Sequence, residues 1–182
     1  MHCCLMFLSG KLPADEDIAT ALQPYRSEDY YSKADAGVSV ERPLFTWDWW
    51  QLGGRYAGRL KLRVDPNDRD SEYQWMFYAK QPRAGRLFRS QLIERSLENQ
   101  RLRLLGEEDL FLSMGQRDGY ICVDGAKIAD CLNFAEQCIA CYIVLCDDGT
   151  ALVRDDEGFD EAVQALCEEK KDGYVTYIDI HD

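Results

Sequence analysis

The sequence predicts an α+β fold: a mixed or antiparallel sheet with helices packed mainly on one face. Three observations carry that reading. Residues 60–64 alternate, with Leu60, Leu62 and Val64 on one side and the flanking Arg59, Lys61 and Arg63 on the other. Residues 174–181 are rich in β-branched and aromatic side chains, the composition of a central strand. Between them, Phe159, Ala162, Val163, Leu166 and Cys167 are spaced as the apolar stripe of a helix lying on a sheet, with Gly173 past its end.

Taken in order, residues 2–8 are apolar and short enough for a buried strand. Pro13 and the acidic Asp15, Glu16 and Asp17 then open a helix, because negative charge suits the positive end of its dipole. Ile18, Ala21 and Leu22 give that helix its apolar side, and Pro24 closes it. Residues 26–43 show no sustained period and read as a long loop leading into a binding segment. The cationic strand over 60–64 is followed by a turn at Asp65-Pro66-Asn67-Asp68. An aromatic-rich strand over 73–79 completes a hairpin with it. Residues 87–105 read as a basic helix. Residues 120–123 form a strand ending at Asp124-Gly125, residues 126–134 a short helix, and residues 138–146 a buried strand. Asp147-Asp148-Gly149-Thr150 reverses the chain into a hairpin with residues 151–153.

Composition limits the functions. The 182 residues, 46% hydrophobic and with five prolines and no internal repeat, fit a single domain spanning 1–182. The apolar run at residues 3–8 is too short for a membrane span. It also lacks a basic leader, so a cytoplasmic protein is expected. Net charge is −12, yet residues 55–103 carry 12 basic against 6 acidic side chains. Such segregation creates a local anion site within an acidic surface, unless the basic residues pair with the acidic ends. General nucleic-acid binding is disfavoured, because phosphate contacts dominate that affinity and the chain as a whole repels a polyanion.

The eight cysteines come without a secretion signal and read as reduced thiols. Cys138 and Cys141 form a CxxC, but Cys131 and Cys146 do not repeat its spacing, so no metal site is expected. No GxSxG, HExxH or phosphate-loop pattern occurs, no cofactor is expected, and no complete catalytic signature marks the chain as an enzyme.

The candidate ligand-binding segment is residues 47–56, which hold three of the four tryptophans: Trp47, Asp48, Trp49, Trp50, Gln51, Leu52, Gly53, Gly54, Arg55 and Tyr56. The rings offer stacking surface, Gly53 and Gly54 offer bare backbone, and Arg55 with Arg59 offers guanidinium groups for a phosphate or carboxylate. That combination suits a nucleotide-like anion. Equally, the tryptophans anchor a loop on the sheet, with Arg55 paired to Asp48.

The segment resembles the signature "aspartate, aromatic pair, any residue, aliphatic, Gly-Gly-Arg, aromatic" of a group of small proteins encoded by bacteriophages, prophages and gut Firmicutes. In that group a short N-terminal strand and helix end at a Pro-aromatic pair, as at Pro24-Tyr25. The chain there finishes in a strand with a Val/Ile-Asp-x-His ending, as Ile178-Asp179-Ile180-His181 does here. Tyr56 stands where the group often has Trp, which keeps an aromatic face. The resemblance implies a setting, that of a phage or mobile-element accessory protein, and no reaction. The function expected is binding or sequestration of a host component, either a nucleotide-like signal or a protein of a defence system.

The competing expectation is a small metal-assisted hydrolase. Only His2 and His181 exist, one near each end. If the first and last strands are neighbours, both imidazoles meet at one sheet edge near Asp179 or Asp48, and a carboxylate beside a histidine is a usable acid/base or metal pair. Against it stands the reading of both histidines as ordinary surface residues, and a third expectation is a structural or adaptor domain whose aromatic loop contacts another chain.

Overall fold

The computed structural model describes residues 1–56, 59–63, 72–77, 83–88, 114–115, 120–123 and 125–182. Strand β1 (His2–Ser9) leads to helix α1 (Asp15–Leu22), a 3-10 turn (Gln23–Tyr25) and helix α2 (Ser27–Asp35). Strand β2 (Trp49–Leu52) and a 3-10 turn (Gly54–Tyr56) precede β3 (Leu60–Arg63), β4 (Glu72–Phe77), β5 (Arg83–Phe88), β6 (Met114–Gly115), β7 (Tyr120–Val123) and β8 (Gly125–Lys127). A 3-10 turn (Ile128–Asp130), helix α3 (Phe134–Ile139), β9 (Ile143–Cys146), β10 (Ala151–Val153), helix α4 (Phe159–Glu169) and β11 (Tyr174–His181) complete the described elements.

The fold is α+β on a mixed sheet. Its strand order is β10-β9-β1-β11-β8-β4-β5, with β2 also on β11. β1 runs antiparallel to β11 along its whole length and parallel to β9. β8 and β2 occupy the other edge of β11 end to end, β8 beside Tyr174–Thr176 and β2 beside Ile178–His181. The last strand is therefore central. A second sheet, β3-β7-β6, lends Leu60, Leu62 and Val123 to the main core.

Side-chain alternation divides the core between two faces. On β1, Met6 and Leu8 join Val144 and the Val163 stripe of α4, while Leu5 and Phe7 join Ile18 and Leu22 of α1. These four β1 side chains are fully buried, and each contributes about 1.5–3 kcal/mol of burial free energy. Helices α3 and α4 pack together on one face, and α1 adds a smaller cover on the other.

Several local expectations are corrected. Residues 26–43 contain helix α2, whose only buried residue is Ser27. A helix polar on all sides leaves no apolar period to read. Its start is held instead by the Ser27 N–H and hydroxyl, both donating to the Trp47 carbonyl at 2.9 Å. Strand β3 pairs with β7, matching Leu60 to Val123, and β4 pairs with β5 and β8. The hairpin expected between residues 60–64 and 73–79 is thus absent from the described pairings. Residues 138–146 are not one strand: Cys138 and Ile139 end helix α3, and β9 begins at Ile143. In the predicted helix at 126–134, Ala126 sits instead in β8, buried between β11 and β4, and α3 starts only at Phe134. The turn at 65–68 lies outside the described residues, as does the helix at 87–105 except for Leu87 and Phe88, which belong to β5.

Candidate functional site

The register of three neighbouring strands assembles the site. His2 of β1 lies opposite His181 of β11, and His181 lies opposite Trp49 of β2. Cross-strand partners project from the same face, so two imidazoles and an indole form one row at the end of the sheet. The rings of His2 and His181 are 5.0 Å apart between centroids, and His2 meets Trp49 edge-on at 6.0 Å. One step along the same face, Cys4 lies opposite Asp179.

Each imidazole is fixed by its own carboxylate. His2 Nδ1 donates to Asp179 Oδ1 at 2.9 Å, and His181 Nδ1 donates to Asp48 Oδ1 at 2.9 Å. A carboxylate acceptor places a ring proton on Nδ1, leaving Nε2 for chemistry: a lone pair in the neutral ring, an N–H donor in the imidazolium. Neither Nε2 has a hydrogen-bond partner among the described residues. The carboxylates differ in setting: Asp179 is 1% exposed and Asp48 57%. The hydrogen bond from His181 holds the Asp48 carboxyl below its ordinary range.

Gly53 and Gly54 are explained by Asp179. Both have positive φ, 65° and 50°, and the bend they form carries the Arg55 N–H to Asp179 Oδ2 at 2.9 Å. A Cβ on Gly54 would stand 2.4 Å from the Asp179 Cβ, closer than any side chain tolerates. The glycine backbone therefore faces an internal carboxylate, and the expectation that it lies bare for a ligand is corrected.

The aromatic residues of the segment divide. Trp47 is 8% exposed, and its indole N–H donates to the Leu22 carbonyl at 2.8 Å. It packs with Ile18 and Leu22 on the α1 face, so it is sealed from any ligand and serves as an anchor. Trp50 is half-buried against the same cluster, whereas Trp49 is 46% exposed. Arg55 is exposed, and the Arg55–Asp48 pair is not formed, because Asp48 holds His181 and Asp179 takes the Arg55 backbone. Tyr56 donates its hydroxyl to the His2 carbonyl at 3.3 Å, and the Arg59 guanidinium lies 5.2 Å over its ring.

No protein-family model, curated protein or solved structure matches this chain. The arrangement must be judged on its own chemistry. Among the described residues, no group of three or more His, Cys, Asp or Glu side chains is placed to hold a metal ion. His2, His181 and Asp179 lie together at this end of the sheet, with one nitrogen of each imidazole on a carboxylate. No described helix is long and apolar enough to cross a membrane.

Sequence reasoning missed the neighbouring pocket. A cavity of about 550 Å³ opens beside the row, lined by Tyr56, Arg59, Asn133 and Gln137, with Cys4, Cys141 and Tyr177 also on its wall. The Cys4 and Cys141 sulfurs are 3.2 Å apart. That hydrogen bond, then burial, pushes the Cys4 thiol far above its ordinary range, and burial chiefly raises the Tyr177 hydroxyl. Cys3, Cys4, Cys131, Cys138, Cys141, Cys146 and Cys167 are free thiols. A larger cleft of about 790 Å³ includes His2 and shares Cys4 and Tyr56 with the first. Alternation on β1 was the available signal, since it places Cys4 on the face of His2.

Proposed function

We propose that the protein is a small acid–base enzyme in which His2 and His181 move protons on a bound substrate. The observation that carries this reading is the pair of imidazoles 5.0 Å apart, each held at Nδ1 by a separate carboxylate. Neutral imidazole accepts a proton at Nε2 and imidazolium returns one, so adjacent rings supply a base and an acid on one substrate. Asp179 and Asp48 fix tautomer and orientation. The twin-glycine bend supports the first dyad by bringing a backbone donor to the second oxygen of Asp179.

The test is hydrolysis of 4-nitrophenyl acetate and bis(4-nitrophenyl) phosphate by wild type, His2→Asn and His181→Asn in EDTA. General acid–base groups contribute about 10²–10⁴-fold, so each variant should lose at least about 100-fold against any turned-over ester. Equal rates in all three proteins would end the proposal.

A second reading keeps the expectation from the sequence: binding or sequestration of a nucleotide-like anion or a host protein, without turnover. The exposed Trp49 and Arg55 support it. Quenching of tryptophan fluorescence by nucleotides, lost in Trp49→Ala and Arg55→Ala, tests it. The resemblance in the Trp47–Tyr56 segment supports a phage or mobile-element setting for either activity.

A further inference from the structure

We infer that the substrate of the histidine row is a short ribonucleotide, cleaved at a phosphodiester whose own 2′-hydroxyl is the attacking group. This rests on the acid–base reading and specifies its chemistry. Four observations lead to it.

The nucleophile is the first. Cys4 is the nearest thiol on this face, but it is hydrogen-bonded to Cys141 at 3.2 Å and held in its protonated form. No serine, cysteine or threonine is hydrogen-bonded to either imidazole among the described residues. An acid–base pair without a protein nucleophile favours a substrate that brings one. A ribose 2′-hydroxyl beside its phosphorus does so, because intramolecular attack gains a large effective molarity over attack from solution.

The second observation is the supply of cations. The Arg55 N–H is bonded to the carboxylate that holds His2, and its side chain is exposed. Arg59 lies over the ring of Tyr56, whose hydroxyl bonds the His2 carbonyl. Guanidinium groups match phosphate oxygens with paired donors.

Third, a stacking surface flanks the acid–base pair. Trp49 is 46% exposed and meets His2 edge-on at 6.0 Å. Bases stack on such rings without much regard to sequence. The cavity of about 550 Å³ that meets this face at Cys4 and Tyr56, with Arg59, Lys61 and Glu136 also on its wall, takes the other end of the ligand.

Fourth, charge sets substrate length. With a net charge of −12, the protein repels a long polyanion, whereas a dinucleotide needs only the local guanidinium groups.

The reaction balances without water or metal. The Nε2 of one imidazole takes the proton of the 2′-hydroxyl as O2′ bonds to phosphorus. The P–O5′ bond breaks, and the other imidazole delivers its proton to the departing O5′. The products are a 2′,3′-cyclic phosphate and a free 5′-hydroxyl.

The test incubates the full chain with uridylyl-(3′→5′)-adenosine and with its 2′-deoxy counterpart in EDTA, and separates the products by chromatography. Cleavage of the ribo compound alone to a 2′,3′-cyclic phosphate is expected. His2→Asn and His181→Gln should each lower the rate at least about 100-fold. Trp49→Ala and Arg55→Ala should mainly raise KM, with all variants checked for native melting. Equal cleavage of the deoxy compound, or loss of cleavage in EDTA, overturns the inference. Histidine-dependent turnover of 4-nitrophenyl acetate or bis(4-nitrophenyl) phosphate with both dinucleotides intact overturns the substrate class and leaves the acid–base reading standing. If every substrate survives, both readings fall.

Discussion

The two histidine–carboxylate dyads share a donor–acceptor distance of 2.9 Å and differ in almost everything else. Asp179 is buried in the central strand and accepts from His2 and from the Arg55 backbone. Asp48 stands in solvent at the entrance to β2 and accepts from His181. Taking a carboxylate out of water costs several kcal/mol, so the buried dyad is tolerated only because both oxygens are satisfied. The exposed dyad carries no such burden. One dyad is tied into the fold, and the other orients a ring with little structural commitment.

The largest effect should come from Asp179→Ala. It strands the His2 imidazole and the Arg55 N–H, and breaking a buried pair of this kind costs about 3–5 kcal/mol. For a chain of this size that is a drop of roughly 6–20 °C in Tm, readable by calorimetry. Gly54→Ala comes next. Its Cβ would overlap Asp179 at a φ of +50°, and overpacking plus left-handed strain adds to about 2–5 kcal/mol. Gly158→Ala is the control, because its φ is also positive, +76°, but nothing lies within 4 Å, so about 1–2 kcal/mol of backbone strain remains.

The tryptophans sharpen the same contrast. Trp47→Phe removes the donor to the Leu22 carbonyl and should cost about 1–3 kcal/mol in chemical denaturation. Trp49→Phe, at the exposed end of the row, should stay within about 0.5 kcal/mol. Asp48→Asn should have the smallest effect on melting. The Asp48 carboxyl is held below its ordinary range by His181, so its contribution is whole above pH about 4. It fades as pH falls through the lowered value. Melting curves of wild type and Asp48→Asn should therefore coincide at acid pH and differ at most slightly near neutrality.

Much of the frame was legible because it is local. The apolar run of β1, the acidic start of α1, the stripe of α4 and the turn at 147–150 each announce themselves within a dozen residues. Pairings that join distant segments were not. Nothing near Leu60 reveals that Val123 will be its partner, and α2 buries only Ser27 and so has no period to detect. The histidine pair was legible as a condition, that the first and last strands be neighbours, and the register of β1 on β11 meets it. The glycine pair misled because its reason, the Asp179 side chain, lies far away in sequence. Trp47 misled because composition cannot say which ring of a cluster turns inward.

The arrangement of the two imidazoles is most directly tested by nitrogen-15 correlation spectra of the histidine side chains, recorded across a pH series. Both rings should carry a proton on Nδ1, with cross-relaxation between the His2 and His181 ring protons. An Nδ1 without a proton in either ring, or no contact between the two rings, would contradict the account.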